Sequence, residues 1–345
     1  SVFFNLTSSD TSEDLQELEL EIMPEYTAHH NRITSNDDLF VRIKVVYESH
    51  EGLNTEERQL LNETYRLFVR AGAELNNEDR KRVNKISEEL SVLETEFGQN
   101  VLKDTNSYEL VLEKEADLRG LPDFVLNAAR VEAESKGIHG KYVFTISRSS
   151  ITPFLQYAER RGLREEIYRA YTSCGVSSVD NQPIIRKIVA LRDERAKLLG
   201  FATHNDFMMD DRMAGSPDSV KELLDQTWGP CVQKVIKEAD DLRKRIQAEG
   251  NNFDLEPWDW WYYTEKIRKE RFDLDEQEVK RYFKLENVRD GVMEVARKLY
   301  GIEFHERGDL PVYHPDVVAY EVTEADGELI GYFLFDFYMR ASKRG

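Results

Sequence analysis

Apolar residues return every three or four positions through most of the chain, the interval at which one face of a helix is buried. Leu15, Leu18, Ile22 and Tyr26 form such a stripe in a helix expected to end near Asn31, with N-cap choices at Ser8, Ser9, Asp10 and Thr11. Asn36 is expected to cap a second helix carrying Leu39, Ile43 and Tyr47. Asn54 or Thr55 opens a third through Arg70. A fourth starts near Asn77 and runs to about Leu102 through Val83, Ile86, Leu90, Leu93 and Phe97. The connections are short, so neighbours are expected to pack antiparallel. Helices resume at Ile151. Asp180, Asn181 and Pro183 begin one that ends at Leu199, with Ile184, Ile188, Leu191 and Leu198 on its inner face and Gly200 as the stop. Thr203 caps a short helix, and Ser216-Pro217-Asp218 opens the longest, to about Glu249, roughly 50 Å at 1.5 Å per residue. Pro257 starts another, and Asp275 and Asn287 two more.

Two stretches depart from this period. Between 105 and 150 the pattern is irregular: Leu121-Pro122-Asp123 starts a short helix, and Lys141 to Ile146 reads as an isolated strand. From Val317 onward the chain alternates as a sheet does. Val318, Tyr320 and Val322 fall on one face of a first strand, and Asp326-Gly327 supplies residues tolerant of positive φ for a tight hairpin turn. The returning strand, Leu329 to Tyr338, is apolar on both faces, as in a strand covered on each side. The expected fold class is therefore mainly α, with a small β-hairpin near the C-terminus. Residues 1–300 are expected to form a helical lobe interrupted around 105–150, and 301–345 a hairpin region.

Composition narrows the function classes. At 345 residues, 40% hydrophobic and 33% charged, the chain is an ordinary folded protein with enough length for a large core. A formal charge of −19 repels nucleic acid and anionic membrane surfaces, so neither is an expected partner. No apolar run approaches the ~20 residues of a membrane span. Cys174 and Cys231 lack metal-binding spacing and read as apolar residues of a reducing compartment. The expected location is the cytoplasm, with the periplasm as the alternative.

Side chains that carry chemistry are thinly patterned. Seven histidines are present, none in a His-Glu-x-x-His run, which on a helix would put two imidazoles on one face for zinc. His305 and His314 are close enough in sequence to meet across a turn, as metal ligands or as ordinary hydrogen-bonded turn residues. His204 has Asp210 and Asp211 within reach along its helix. The cluster Trp258, Trp260, Trp261, Tyr262 and Tyr263 fits a peptide or sugar groove, but at helical spacing core packing is the commoner use. No phosphate-binding glycine loop, nucleophile elbow or cysteine-protease signature occurs.

One series of short motifs does point somewhere. Pro257-Trp258-Asp259-Trp260, Phe283-Lys284-Leu285, Gly291-Val292, Leu299-Tyr300-Gly301 and Pro311-Val312-Tyr313-His314-Pro315-Asp316-Val317 follow in fixed order. Gly331-Tyr332-Phe333, Asp336-Phe337-Tyr338-Met339-Arg340 and Ser342-Lys343-Arg344-Gly345 complete it. With Phe68-Val69-Arg70-Ala71-Gly72 and Phe97-Gly98-Gln99-Asn100 upstream, the chain resembles the thimet-oligopeptidase family of zinc metallopeptidases. Within it the similarity is greatest to the bacterial peptidyl-dipeptidase (dipeptidyl carboxypeptidase) branch.

The resemblance implies one large helical lobe of a two-lobed, channel-type metallopeptidase that releases C-terminal dipeptides from, or cleaves, short oligopeptides. In that family the His-Glu-x-x-His helix follows the Ser-Lys-Arg-Gly stretch on which this sequence stops. The sequence is therefore expected to be an N-terminal portion, inactive by itself, with zinc in the full-length protein. No catalytic or metal-binding residue carries over onto it. Asp336, Tyr338 and Arg340 are the residues expected nearest the substrate groove, or alternatively they only brace the hairpin. Short peptides are the expected partners, with dimerisation of the fragment through the exposed hairpin. The alternative function is a non-catalytic helical peptide-binding or interaction scaffold.

Overall fold

The computed structural model describes residues 2–272 and 276–344; the helix start expected at Asp275 and the glycine at 345 lie outside them. It is mainly α, with two small antiparallel sheets among the described residues. The chain divides into two compact units. One comprises the described parts of 1–12, 109–169 and 240–345, and the other 13–108 and 170–239.

In the second unit the predicted caps Asn36 and Asn54 fall where side chains can serve them, and Asn76, not predicted, serves a third helix. Asn36 accepts from the Leu39 amide at the start of Asp37–Ser49. Asn54 and Glu57 form a reciprocal capping box at Thr55–Arg70, satisfying two otherwise orphaned amides. Asn76 accepts from Glu78 and Asp79 at the start of Asn77–Ser107, which runs five residues beyond the expected end. Gln182–Leu198 packs its predicted stripe, with Ile184, Ile188, Leu191 and Leu198 against Ile86, Leu90 and Leu93.

The first long helix, Glu13–Thr34, corrects the sequence reading. Leu18 and Tyr26 are exposed, and the buried positions are Glu19, Asn31 and Thr34. The seam with Asn77–Ser107 is partly polar. Gln99 donates to Glu19 at 3.2 Å and to the Gln16 carbonyl at 2.8 Å, and Asn31 donates to the Asn84 carbonyl at 3.2 Å. An apolar stripe cannot announce a seam made of amides.

Asp104 shows the same principle more strongly. It is 1% exposed, and its oxygens accept from the Ser177 and Ser178 hydroxyls at 2.7 and 2.6 Å and from the Gly175 and Ser178 amides at 2.5 and 3.0 Å. Burial pushes its pKa up, but the donors from Ser178 and Ser177 outweigh burial and hold the carboxyl well below its usual range.

The first unit begins with a helix, Val2–Ser9, that the periodicity did not mark. The strand expected to be isolated is Tyr142–Phe144, and it pairs with Leu110–Leu112. Pro257–Asp259 forms one 3-10 turn leading into Trp260–Phe272. In the aromatic cluster there, Trp258 and Tyr263 are buried, Trp260 and Tyr262 are partly buried against the core, and Trp261 is exposed. At its centre Asp259, fully buried, accepts from Arg164 at 2.8 Å and from Arg161 at 2.8–3.0 Å. Arg164, 1% exposed, also donates to the Ala158 and Glu159 carbonyls at 2.8 and 3.0 Å, and its guanidinium lies 4.2 Å from the Tyr262 ring centroid. The helix expected at Asn287 is Leu285–Tyr300, ended by Gly301 at φ 73°, where a residue without Cβ is unstrained.

The hairpin exists, as two strands of a three-stranded antiparallel sheet. Glu303–Glu306 pairs with Val318–Thr323, which pairs with Leu329–Phe335 at the edge. The turn is longer than expected. Five residues connect the strands, the pairing shifts at Val322/Thr323, and only Gly327 takes a positive φ, of 88°. Asp326 instead uses its side chain to accept from the Glu328 amide at 3.1 Å. Leu329–Phe335 also departs from the expectation of a strand covered on each side. Leu329, Ile330, Tyr332, Phe333 and Leu334 are all exposed.

Candidate functional site

Where the edge strand ends, the chain enters the segment that carries all three groove candidates, and two of them meet. Asp336 is brought next to Arg340 by a four-residue spacing, and the Arg340 guanidinium donates to both carboxylate oxygens at 2.8 Å. Tyr313, from the connection before Val318–Thr323, donates its hydroxyl to the same carboxylate at 2.9 Å. Lys343 lies 3.3 Å from it and donates to the Asp336 carbonyl at 2.7 Å.

The cluster is largely withdrawn from water, with 9% of the Asp336 side chain, 11% of Arg340 and 19% of Lys343 accessible. Donation by Arg340 is the largest influence on Asp336. Together with Tyr313 and Lys343 it overrides burial and holds the carboxyl far below its usual range. Arg340 is pushed up in turn by the same bond. Burial, then the bond to Asp336, raises Tyr313.

Tyr338 stands apart. It is 52% exposed, in a run with exposed Phe337 and Met339. The segment thus has a charged side, Asp336 and Arg340, and an open aromatic side, Phe337 and Tyr338. Tyr313 and Lys343 belong to the cluster and were not singled out from the sequence. Both sat in the motif series already quoted, but nothing local links a tyrosine to an aspartate 23 residues on.

The histidine alternatives resolve into local contacts. His305 lies 3.4 Å from the Thr323 hydroxyl and 3.6 Å from Glu303. The His314 Nδ1 accepts from the Asp316 amide at 3.2 Å, the contact of an ordinary turn. Asp210 and Asp211, the acids within sequence reach of His204, lie 3.1 and 3.4 Å from Arg70. Burial, then the nearby Arg192 and Arg195, holds His204 below its usual pKa. Among the described residues no group of three or more His, Cys, Asp or Glu side chains is placed to hold a metal ion. No described helix is long and apolar enough to cross a membrane.

Four similarities bear on these residues. The model of peptidase family M3 matches residues 154–345, taking in the sheet and the Asp336 cluster. Dipeptidyl carboxypeptidase of Escherichia coli is 33% identical over all of this chain and 51% of its own length. Oligopeptidase A of the same organism is 31% identical over 99% of this chain and 51% of its own length. A probable cytosolic oligopeptidase A of Arabidopsis thaliana is 32% identical over 94% and 48%. The chain spans about half the length of these relatives.

The saturated carboxylate makes a prediction about pH. A depressed folded pKa contributes stability that is fully present above the unfolded value of about 3.9 and is lost as pH falls through the folded one. Replacing Asp336 by Ala leaves Arg340 and Lys343 without their partner and is expected to cost on the order of 3 kcal/mol in urea unfolding at about pH 6. The gap between wild type and Asp336→Ala is expected to narrow only below about pH 4. A gap that is constant with pH would show that the carboxylate is not the source.

Proposed function

The chain belongs to peptidase family M3, and on that premise we propose that it is the helical, peptide-accommodating part of a zinc metallopeptidase acting on short oligopeptides. Similarity of the whole of this chain to about half of a dipeptidyl carboxypeptidase carries this reading, and release of C-terminal dipeptides is the proposed reaction. Zinc would be supplied with its ligands by polypeptide outside this chain, where it would polarise the scissile carbonyl. The chain's own contribution is to bind and orient. A strand edge offers main-chain donors and acceptors to an extended peptide, and exposed aromatic side chains beside it select among side chains. Asp336 and Arg340 would fix the course of the segment, and Tyr338 would face the peptide. Residues 301–345 form the region through which the helical lobe meets the catalytic part in this proposal.

The chain by itself is proposed to hydrolyse nothing. Joined to the half of the Escherichia coli dipeptidyl carboxypeptidase that it does not span, it is expected to give a chelator-sensitive enzyme that removes dipeptides from a blocked short peptide. In that chimera Tyr338→Ala is expected to raise KM severalfold with kcat little changed, the signature of lost binding. A folded, zinc-loaded chimera without hydrolysis would instead favour a peptide-binding scaffold.

We also propose that the chain alone dimerises through the edge strand. Leu329–Phe335 carries no charge and no proline, the devices that normally keep an edge unpaired. Light scattering is expected to show a dimer at high concentration and a monomer for Tyr332→Pro, which removes a ladder donor. A wild-type chain that stays monomeric would contradict this.

A further inference from the structure

The first dozen residues lie outside the stretch matched by the family model, which begins at residue 154. Yet they are fastened to the segment that carries the groove candidates. The Thr11 amide donates to the Ser342 carbonyl at 2.7 Å, and the Arg344 amide donates to the Ser8 carbonyl at 2.8 Å. These two main-chain bonds tie the end of the helix Val2–Ser9 and the residues just after it to 342–344.

Side chains reinforce this tie at Ser9 and Asp10. The Ser342 hydroxyl donates to Asp10 at 2.7 Å. Arg340, while gripping Asp336, donates to the Ser9 carbonyl and lies 3.6 Å from the Asp10 carboxylate. Thr11 and Thr7 are buried, at 8% and 2% exposure, so the strap does not lie loosely on the surface.

We infer that Ser9 and Asp10 are positioning residues: they hold Arg340, and through it Asp336, in the arrangement described above. The physical reason is geometric. An arginine bound only to Asp336, four residues away, fixes a local turn; a second anchor on a distant stretch fixes where that turn sits. Residues 2–12 would therefore be an integral strap of the segment after the hairpin. The fastening does not depend on the peptidase reading, although its consequence for a bound peptide does.

Trypsin supplies the test, because Arg340, Lys343 and Arg344 are its cleavage sites and a strapped segment is cut only when it opens. In the whole chain, Asp10→Ala is expected to raise the initial rate of cleavage after these residues about tenfold, with the melting temperature little changed. Asp10→Asn keeps the oxygen that accepts from Ser342 and is expected to stay within about twofold of wild type. Ser342→Ala is expected to follow Asp10→Ala and guards against a folding defect peculiar to one variant. Equal rates in wild type and Asp10→Ala, or in Asp10→Ala and Asp10→Asn, would overturn the assignment. The readout is cleavage of this chain, so it stays separate from any test of peptide hydrolysis.

Discussion

A carboxylate removed from water must be met by donors from several directions, and in this chain three of them set where neighbouring segments lie. Asp336 draws on Arg340, Tyr313 and Lys343. Asp259 draws on two arginines that also reach main-chain carbonyls. Asp104 is saturated by a serine-rich loop. Deleting any one acceptor would strand buried donors, which costs more than a net hydrogen bond contributes. Of the three, Asp336 matters most to the proposed function, because the segment it orders begins where the edge strand ends.

What was legible in the sequence follows from range. Caps act within four residues, so Asn36, Asn54 and Thr203 announce their helices almost to the residue. The stripe Ile184–Leu198 is legible because its partner is apolar. The helix Glu13–Thr34 misleads, since its inner face carries Glu19 and Asn31, matched by amides 53 to 80 residues away. Pairing of Leu110–Leu112 with Tyr142–Phe144 is non-local in the same way, and three-residue strands are too short to show a period.

The candidate site was half legible. Asp336 and Arg340 are four apart, a spacing at which charged side chains commonly meet. Tyr313, Ser9 and Asp10 join them only through the tertiary fold, and Ser9 and Asp10 looked like nothing more than helix caps. The edge strand teaches a different lesson. Its two-sided apolar pattern asks for cover on each face, whereas both faces stand open in the described chain. Val288, Val292, Val295 and Leu299 on Leu285–Tyr300 are open too. This apolar surface in the family-matched region is what the proposed meeting with a catalytic part would cover.

The measurement closest to that claim is made on the polypeptide isolated from its native source: intact mass, zinc content and hydrolysis of a blocked short peptide on the same sample. A mass about twice the 40.3 kDa of this chain, with bound zinc and release of C-terminal dipeptides, is the predicted result. A folded species of 40.3 kDa that binds peptides and leaves them intact would contradict the account.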